Sequence, residues 1–188
     1  MKGLVFTEFF RHVEARHGAD MVDDVIEAAD LPHDGGYTSV GSYPFPEMVA
    51  LVVACSRLTG TPLPELLDAF GTHCFERWVH YAPQFFSRQR GLFDILEGIN
   101  DFHETEVRKL YPDAELPSFM TEQRSGQRLV LGYHSCKPLS ALAVGVIKGA
   151  AAHLGQRVAI ACEPAEGDGG AYTRITIDLR DNPDAPHR

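Results

Sequence analysis

The stretch LFDILEGINDFHETEVRKLYPDAELPSF, residues 92–119, decides how this chain is read. Apolar side chains recur at Leu92, Leu96 and Ile99 and, beyond His103, at Val107 and Leu110. Steps of four or three residues are the spacing of one buried helix face. His103 therefore stands where a core residue belongs. On the helix alone, a core histidine whose ring nitrogens find local partners is the plainer reading, and a metal ligand is the sharper one.

A second run, RLVLGYHSCK at residues 128–137, reads as a strand followed by a turn. Leu129, Leu131, Tyr133 and Ser135 alternate and so share one face, and Lys137 follows on the same side if the extension persists. A phenol, a hydroxyl and an ammonium then converge on one anionic target. A pair of carboxylates suits them, because each group donates a hydrogen bond and the lysine adds charge. The alternative is a half-buried strand that happens to end in a tyrosine.

Together the two runs resemble the H-NOX family, the haem-based nitric oxide and oxygen sensor domains that include the haem domain of soluble guanylate cyclase and stand-alone bacterial sensors. The resemblance runs from MKGLVF at the start, through YTSVGSYP at residues 37–44 and the helix carrying His103, to the strand-rich end near Leu179. It implies an α+β fold: a helical N-terminal subdomain, then an antiparallel sheet with a long helix, and haem b held between them. Residues 1–180 are expected to form a single haem-binding domain, with 181–188 a polar tail. His103, standing before YPDA, matches the proximal iron ligand. Tyr133 and Ser135 match two positions of the family's Tyr-x-Ser-x-Arg propionate motif, and Lys137 stands where arginine is usual. Lysine is a point-charge donor and lacks the two-pronged planar contact of a guanidinium.

The resemblance also implies a pocket. Val5, Phe9, Cys74, Trp78 and Leu142 correspond to residues lining the distal face of the haem, and Pro117 to a proline that presses on the porphyrin. Oxygen-binding members place a tyrosine at the position of Leu142, which has no donor. The implied ligands are nitric oxide and carbon monoxide rather than oxygen, since distal polarity governs haem ligand choice. Nitric oxide is expected to weaken or break the iron–histidine bond, releasing the His103 helix, relaxing the haem against Pro117 and shifting the two subdomains. The implied role is signal transduction without catalysis. The expected partner is a separate effector, such as a histidine kinase or a cyclic-di-nucleotide enzyme, because no kinase or cyclase segment accompanies this stretch.

The rest of the chain divides in two. The first part reads as helices over about Phe6–Arg16 and Met21–Ala29, then a Gly-, Pro- and Ser-rich loop from Leu31 to Pro46. Pro46 suits the first turn of a helix running to about Leu58. A further helix follows Pro64, with Leu66, Leu67, Phe70, Cys74 and Trp78 along it and Pro83 near its end. In the second part, Pro138 fits the start of the long helix. Leu139, Leu142, Val146 and Ala150 form its apolar face, and Gly145 and Gly149 allow close approach by another element. Arg157–Cys162 and Tyr172–Leu179 alternate around GDGG at 167–170, a hairpin signal. With strands at Leu129 and near Phe119, an antiparallel sheet results.

Composition narrows the function classes. The 188 residues are enough for a sizeable core, and 44% are hydrophobic. A net charge of −9 with no basic tract argues against nucleic-acid binding, whose affinity rests on phosphate contacts. MKGLVFTEFFRHVEARHG is interrupted by charge and has no secretory character, and no apolar run approaches membrane-spanning length, so a cytoplasmic protein is expected. Cys55, Cys74, Cys136 and Cys162 form no C-x-x-C pair. Some relatives hold a structural zinc in the C-terminal part. The aligned positions here read Ser140, Cys162, Ala165 and Thr173, so no zinc is expected. Cys136, inside the propionate run, reads as a bystander thiol.

Two rival classes remain open. One is a haem-free adaptor, or a module for another apolar anion, on the same fold, for which Lys137 is the best support. The other is an enzyme using Cys74 or Cys136 with His73 or His134. Adjacent helix residues such as His73 and Cys74 point apart and make a poor dyad.

Overall fold

Phe6, Phe9 and Val13 recur at helical spacing and are all fully buried, which sets the inner face of the first helix, α1 (Gly3–His17). The computed structural model describes residues 1–87 and 90–180. The expected polar tail at 181–188 lies outside the described residues. After α1 come α2 (Ala19–Ala29), α3 (Phe45–Thr59) and α4 (Leu63–Tyr81). Prolines open the last two: Pro46 and Pro64 sit in the first turn, where a missing N–H costs nothing. These four helices enclose one apolar core around Phe6, Phe9, Leu51, Cys55, Leu66 and Phe70.

The helix expected over the His103 stretch is not continuous. It divides into α5 (Leu92–Glu97), α6 (Ile99–Phe102), a π-helical turn (His103–Val107) and α7 (Arg108–Leu110). Gly98 breaks the first junction. The π turn widens the backbone at His103 itself. Such bulges occur frequently at functional sites, and apolar spacing carries no signal for one.

The second core lies against a four-stranded antiparallel sheet of order β1-β2-β4-β3, built from β1 (Ser118–Arg124), β2 (Arg128–His134), β3 (Arg157–Gly167) and β4 (Gly170–Arg180). Leu129, Leu131 and Tyr133 alternate inward along β2, meeting Ile175 and Ile177 of β4. The β3–β4 hairpin is longer than its alternating segments suggested, because pairing continues from Arg157↔Arg180 to Gly167↔Gly170. The long helix α8 (Ser140–His153) covers this sheet with Ile147, Ala150 and Ala151.

The two cores are joined by α4 packed on α8. Glycines make that contact close: a Cβ at Gly145 would collide with the Asp68 carbonyl, and one at Gly71 with the Leu142 carbonyl. Trp78 packs into both cores and marks their junction. None of the helices among the described residues is long and apolar enough to cross a membrane.

Candidate haem site

His103 is set in the π turn, its ring half-buried at the foot of β1. The backbone of Pro117 lies against the imidazole and favours its protonated form, an influence smaller than burial. Its Nδ1 is buried with no partner. A buried ring nitrogen without a hydrogen-bond partner in the protein is one that a second group can engage. Burial, the largest influence, pushes the His103 pKa below the ordinary value and keeps the ring neutral, as a ligand must be.

Phe119 stands between His103 and the strand end. Its ring centroid lies 6.4 Å from that of His103 and 5.3 Å from that of Tyr133. Asn100, one turn before His103, fixes Phe119 by a reciprocal amide contact: Nδ2 donates to the Phe119 carbonyl at 2.6 Å, and Oδ1 accepts the Phe119 N–H at 3.0 Å. Sequence reasoning singled out neither as a site residue. Phe119 was legible as a strand residue, but a side-chain amide pairing with a backbone across 19 positions leaves no local signal.

Tyr133 is buried at the end of β2, and burial, more than any other influence, raises its phenol pKa. It shares a hydrogen bond with Ser135. The strand stops at His134, so Ser135 and Lys137 do not extend its face; they lie in the following turn, where the Ser135 hydroxyl accepts the Lys137 backbone N–H at 3.1 Å. The Lys137 side chain is only 10% exposed. Its ammonium contacts Glu115 at 2.6 Å and Cys136 Sγ at 3.5 Å, and lies 5.9 Å from the Phe45 ring centroid. Burial opposes that charge, yet the bond to Glu115 and the contact with Cys136 hold the lysine above its ordinary pKa. Lys137 thereby bridges the sheet side of the molecule to α3.

The remaining predicted residues separate cleanly. Val5, Phe9, Cys74, Trp78 and Leu142, drawn from α1, α4 and α8, all belong to the N-terminal core, so the structure brings them together as one apolar wall. Pro117 lines the same cavity as His103. The cavity beside His103, lined by Asn100, Glu104, Arg108, Leu116, Pro117 and Ser118, measures about 160 Å³. Small-molecule pockets start near ~300 Å³. The donor set thus fits a haem: a neutral imidazole with a spare buried nitrogen, a buried phenol, a hydroxyl and a lysine. The space beside the imidazole does not yet fit one, and admitting a porphyrin requires the elements around it to part.

The Haem-NO-binding family model matches residues 2–162. The chain belongs to the H-NOX family. Among solved H-NOX structures, the Fe(II) unliganded protein from K. algicida is 31% identical, with 99% of this chain and 100% of that chain covered and a TM-score of 0.87. The S. oneidensis protein in its Fe(II)NO ligation state is 25% identical, with coverage of 96% and 100% and a TM-score of 0.85. No curated protein matches the sequence. H-NOX domains are haem-based gas-sensing modules, and the α+β architecture expected from the sequence is the one found.

Proposed function

We propose that this H-NOX chain binds haem b through His103 and serves in the cytoplasm as a nitric oxide sensor without catalysis of its own, signalling to a separate effector. The observation that carries this reading is the half-buried imidazole of His103 in its π turn, with a buried Nδ1 that has no partner in the protein. When bound, the haem supplies iron with an open position for a diatomic gas. The residues of the chain do the rest. His103 provides the protein ligand. Tyr133, Ser135 and Lys137 hold the propionates, with Lys137 giving up Glu115 to do so. Val5, Phe9, Cys74, Trp78 and Leu142 wall the gas side, and Leu142 offers no hydrogen-bond donor, which favours nitric oxide and carbon monoxide over oxygen.

Signalling follows from where His103 sits. Its ring lies against Pro117, and Asn100 ties the same helical segment to Phe119, so the His103 segment is joined to the start of the sheet. Release or capture of the imidazole shifts β1 against the N-terminal helices. For this to act as a switch, the effector must bind the two arrangements with different affinity. A histidine kinase or a cyclic-di-nucleotide enzyme is the kind of effector this reading anticipates. The test is to reconstitute the purified protein with haem, reduce it and record its absorption spectrum with and without nitric oxide. A Soret band that moves on adding the gas supports the reading, and no Soret band after haem supplementation favours the haem-free adaptor.

The enzyme alternative in its Cys74 form is disfavoured by the surroundings of that thiol. Burial and then the nearby Glu8 carboxylate push its thiol far above the ordinary cysteine range, so the thiolate needed for nucleophilic attack is suppressed.

A further inference from the structure

The two edges of the sheet are finished differently. β1 carries a bulge between Thr121 and Gln123, and α5 and α6 lie against it, so a further strand finds little straight edge there. β3 pairs with β4 without a break from Arg157↔Arg180 to Gly167↔Gly170, and among the described residues no strand pairs with its other side. Every second residue of β3 therefore points its N–H and C=O away from the sheet. The run Arg157–Glu163 holds no lysine, proline or bulge, the usual guards of an exposed edge. Pro164, which lacks an N–H, bounds that run at its far end.

The side chains of this run alternate between the two faces. Val158 and Ile160 pack against the sheet core on the α8 side, yet both stay only half-buried at the edge. Ala161, Cys162 and Glu163 are exposed. On the opposite face Glu163 meets Arg174 at 3.1 Å, and alternation sets Arg157 on that same face. A cation and an anion thus stand at the two ends of one straight, open strand, which makes the strand complementary to itself when it is reversed.

We propose that the β3 edge docks a second copy of this chain, whose own β3 adds antiparallel about a two-fold axis through Ile160 and joins the two four-stranded sheets into one. In that register Arg157 stands opposite Glu163 of the second copy, Val158 opposite Cys162 and Ala159 opposite Ala161. Both ends of the run then carry an opposite-charge pair, Val158 and Ile160 gain apolar cover, and the outward N–H and C=O groups find partners. Sliding the axis to Ala159 or Ala161 sets Arg157 against an alanine and loses both charge pairs. A single short strand pairing is at the small end of specific interfaces, so the dimer is weak and concentration-dependent. The pairing involves neither His103 nor haem.

Sedimentation velocity of the full chain over a wide concentration range, under reducing conditions, is expected to show a monomer–dimer equilibrium. Arg157→Glu or Glu163→Arg alone sets like charges opposite each other at both ends and weakens the dimer roughly tenfold or more. The double variant, with the charges exchanged, restores it. The register is read by cysteine substitution after the exposed Cys136 and Cys162 are changed to serine: of Ala159→Cys, Ile160→Cys and Ala161→Cys, the Ile160 variant cross-links fastest into a covalent dimer on mild oxidation. A chain that stays monomeric at every concentration, a dimer indifferent to the single reversals or not restored by the exchange, or fastest cross-linking at position 159 or 161 overturns the assignment.

Discussion

The Lys137 ammonium lies 2.6 Å from the Glu115 carboxylate, so the cation read from the sequence as an anchor for haem is already engaged within the protein. Glu115 is exposed and its carboxyl is held below its usual range, first by the hydrogen bond from Lys137. A propionate must displace it. Glu115→Gln therefore frees Lys137 and slows haem loss, and Lys137→Arg holds or improves retention. Tyr133→Phe, Ser135→Ala and Lys137→Ala each speed loss, by about tenfold where a charge-assisted bond disappears. Transfer of haem to a scavenger protein measures all five. Equal rates throughout dismiss these residues as propionate partners.

Asn100 is the hinge pin between the His103 segment and β1. Asn100→Ala strips the Phe119 backbone of two bonds at 2.6 and 3.0 Å. A cost of roughly 1–3 kcal/mol is expected from the stranded groups, visible as a lowered urea midpoint. Asn100→Asp restores the acceptor but not the donor and should recover only part of it. An unchanged midpoint in the alanine variant shows that the contact adds nothing to stability.

The His12 environment predicts a pH dependence of stability. Burial, more than the nearby His73, Arg16 and His17, lowers its pKa from 6.5 to about 4. The unfolded chain then takes up a proton that the folded chain refuses. This contribution is fully present above pH 6.5 and is lost as pH falls toward about 4. Its size is at most roughly 3 kcal/mol. Unfolding curves of the wild type and His12→Gln over that window should converge as pH falls, once groups common to both cancel. Parallel curves contradict it.

Ligand choice follows from the apolar wall. Reduced, haem-loaded protein exposed to air should oxidise slowly without a stable oxygen complex, because Leu142 carries no donor. Leu142→Tyr should allow one to persist. A lasting oxygen complex in the wild type indicates that the Trp78 indole or the Cys74 thiol reaches the gas.

Much of this was legible before the fold. The two-residue alternation at Leu129, Leu131 and Tyr133 identified the buried face of β2, and Gly145 marked the close α4–α8 contact. The apolar spacing around His103 indicated a helix, but periodicity reads which face is buried and not how the backbone hydrogen bonds. Neither the break at Gly98 nor the π turn could be found that way. Ser135 falls in the turn after His134 and not on the strand face, because alternation in residue type continues past the last ladder pair. Glu115, Asn100 and Phe119 escaped notice as site residues since their roles rest on contacts between distant segments. The buried Glu8–His73–Arg77 group is of the same kind: α1 and α4 meet only in the fold.

The central claim is that the His103 imidazole is the protein's ligand to iron. His103→Gly, expressed and reconstituted with haem, measures it most directly through the ferrous absorption spectrum recorded with and without added imidazole. Stable haem binding should be lost, or should return only when imidazole is supplied to fill the vacated position. A wild-type ferrous spectrum in this variant without imidazole would contradict the account.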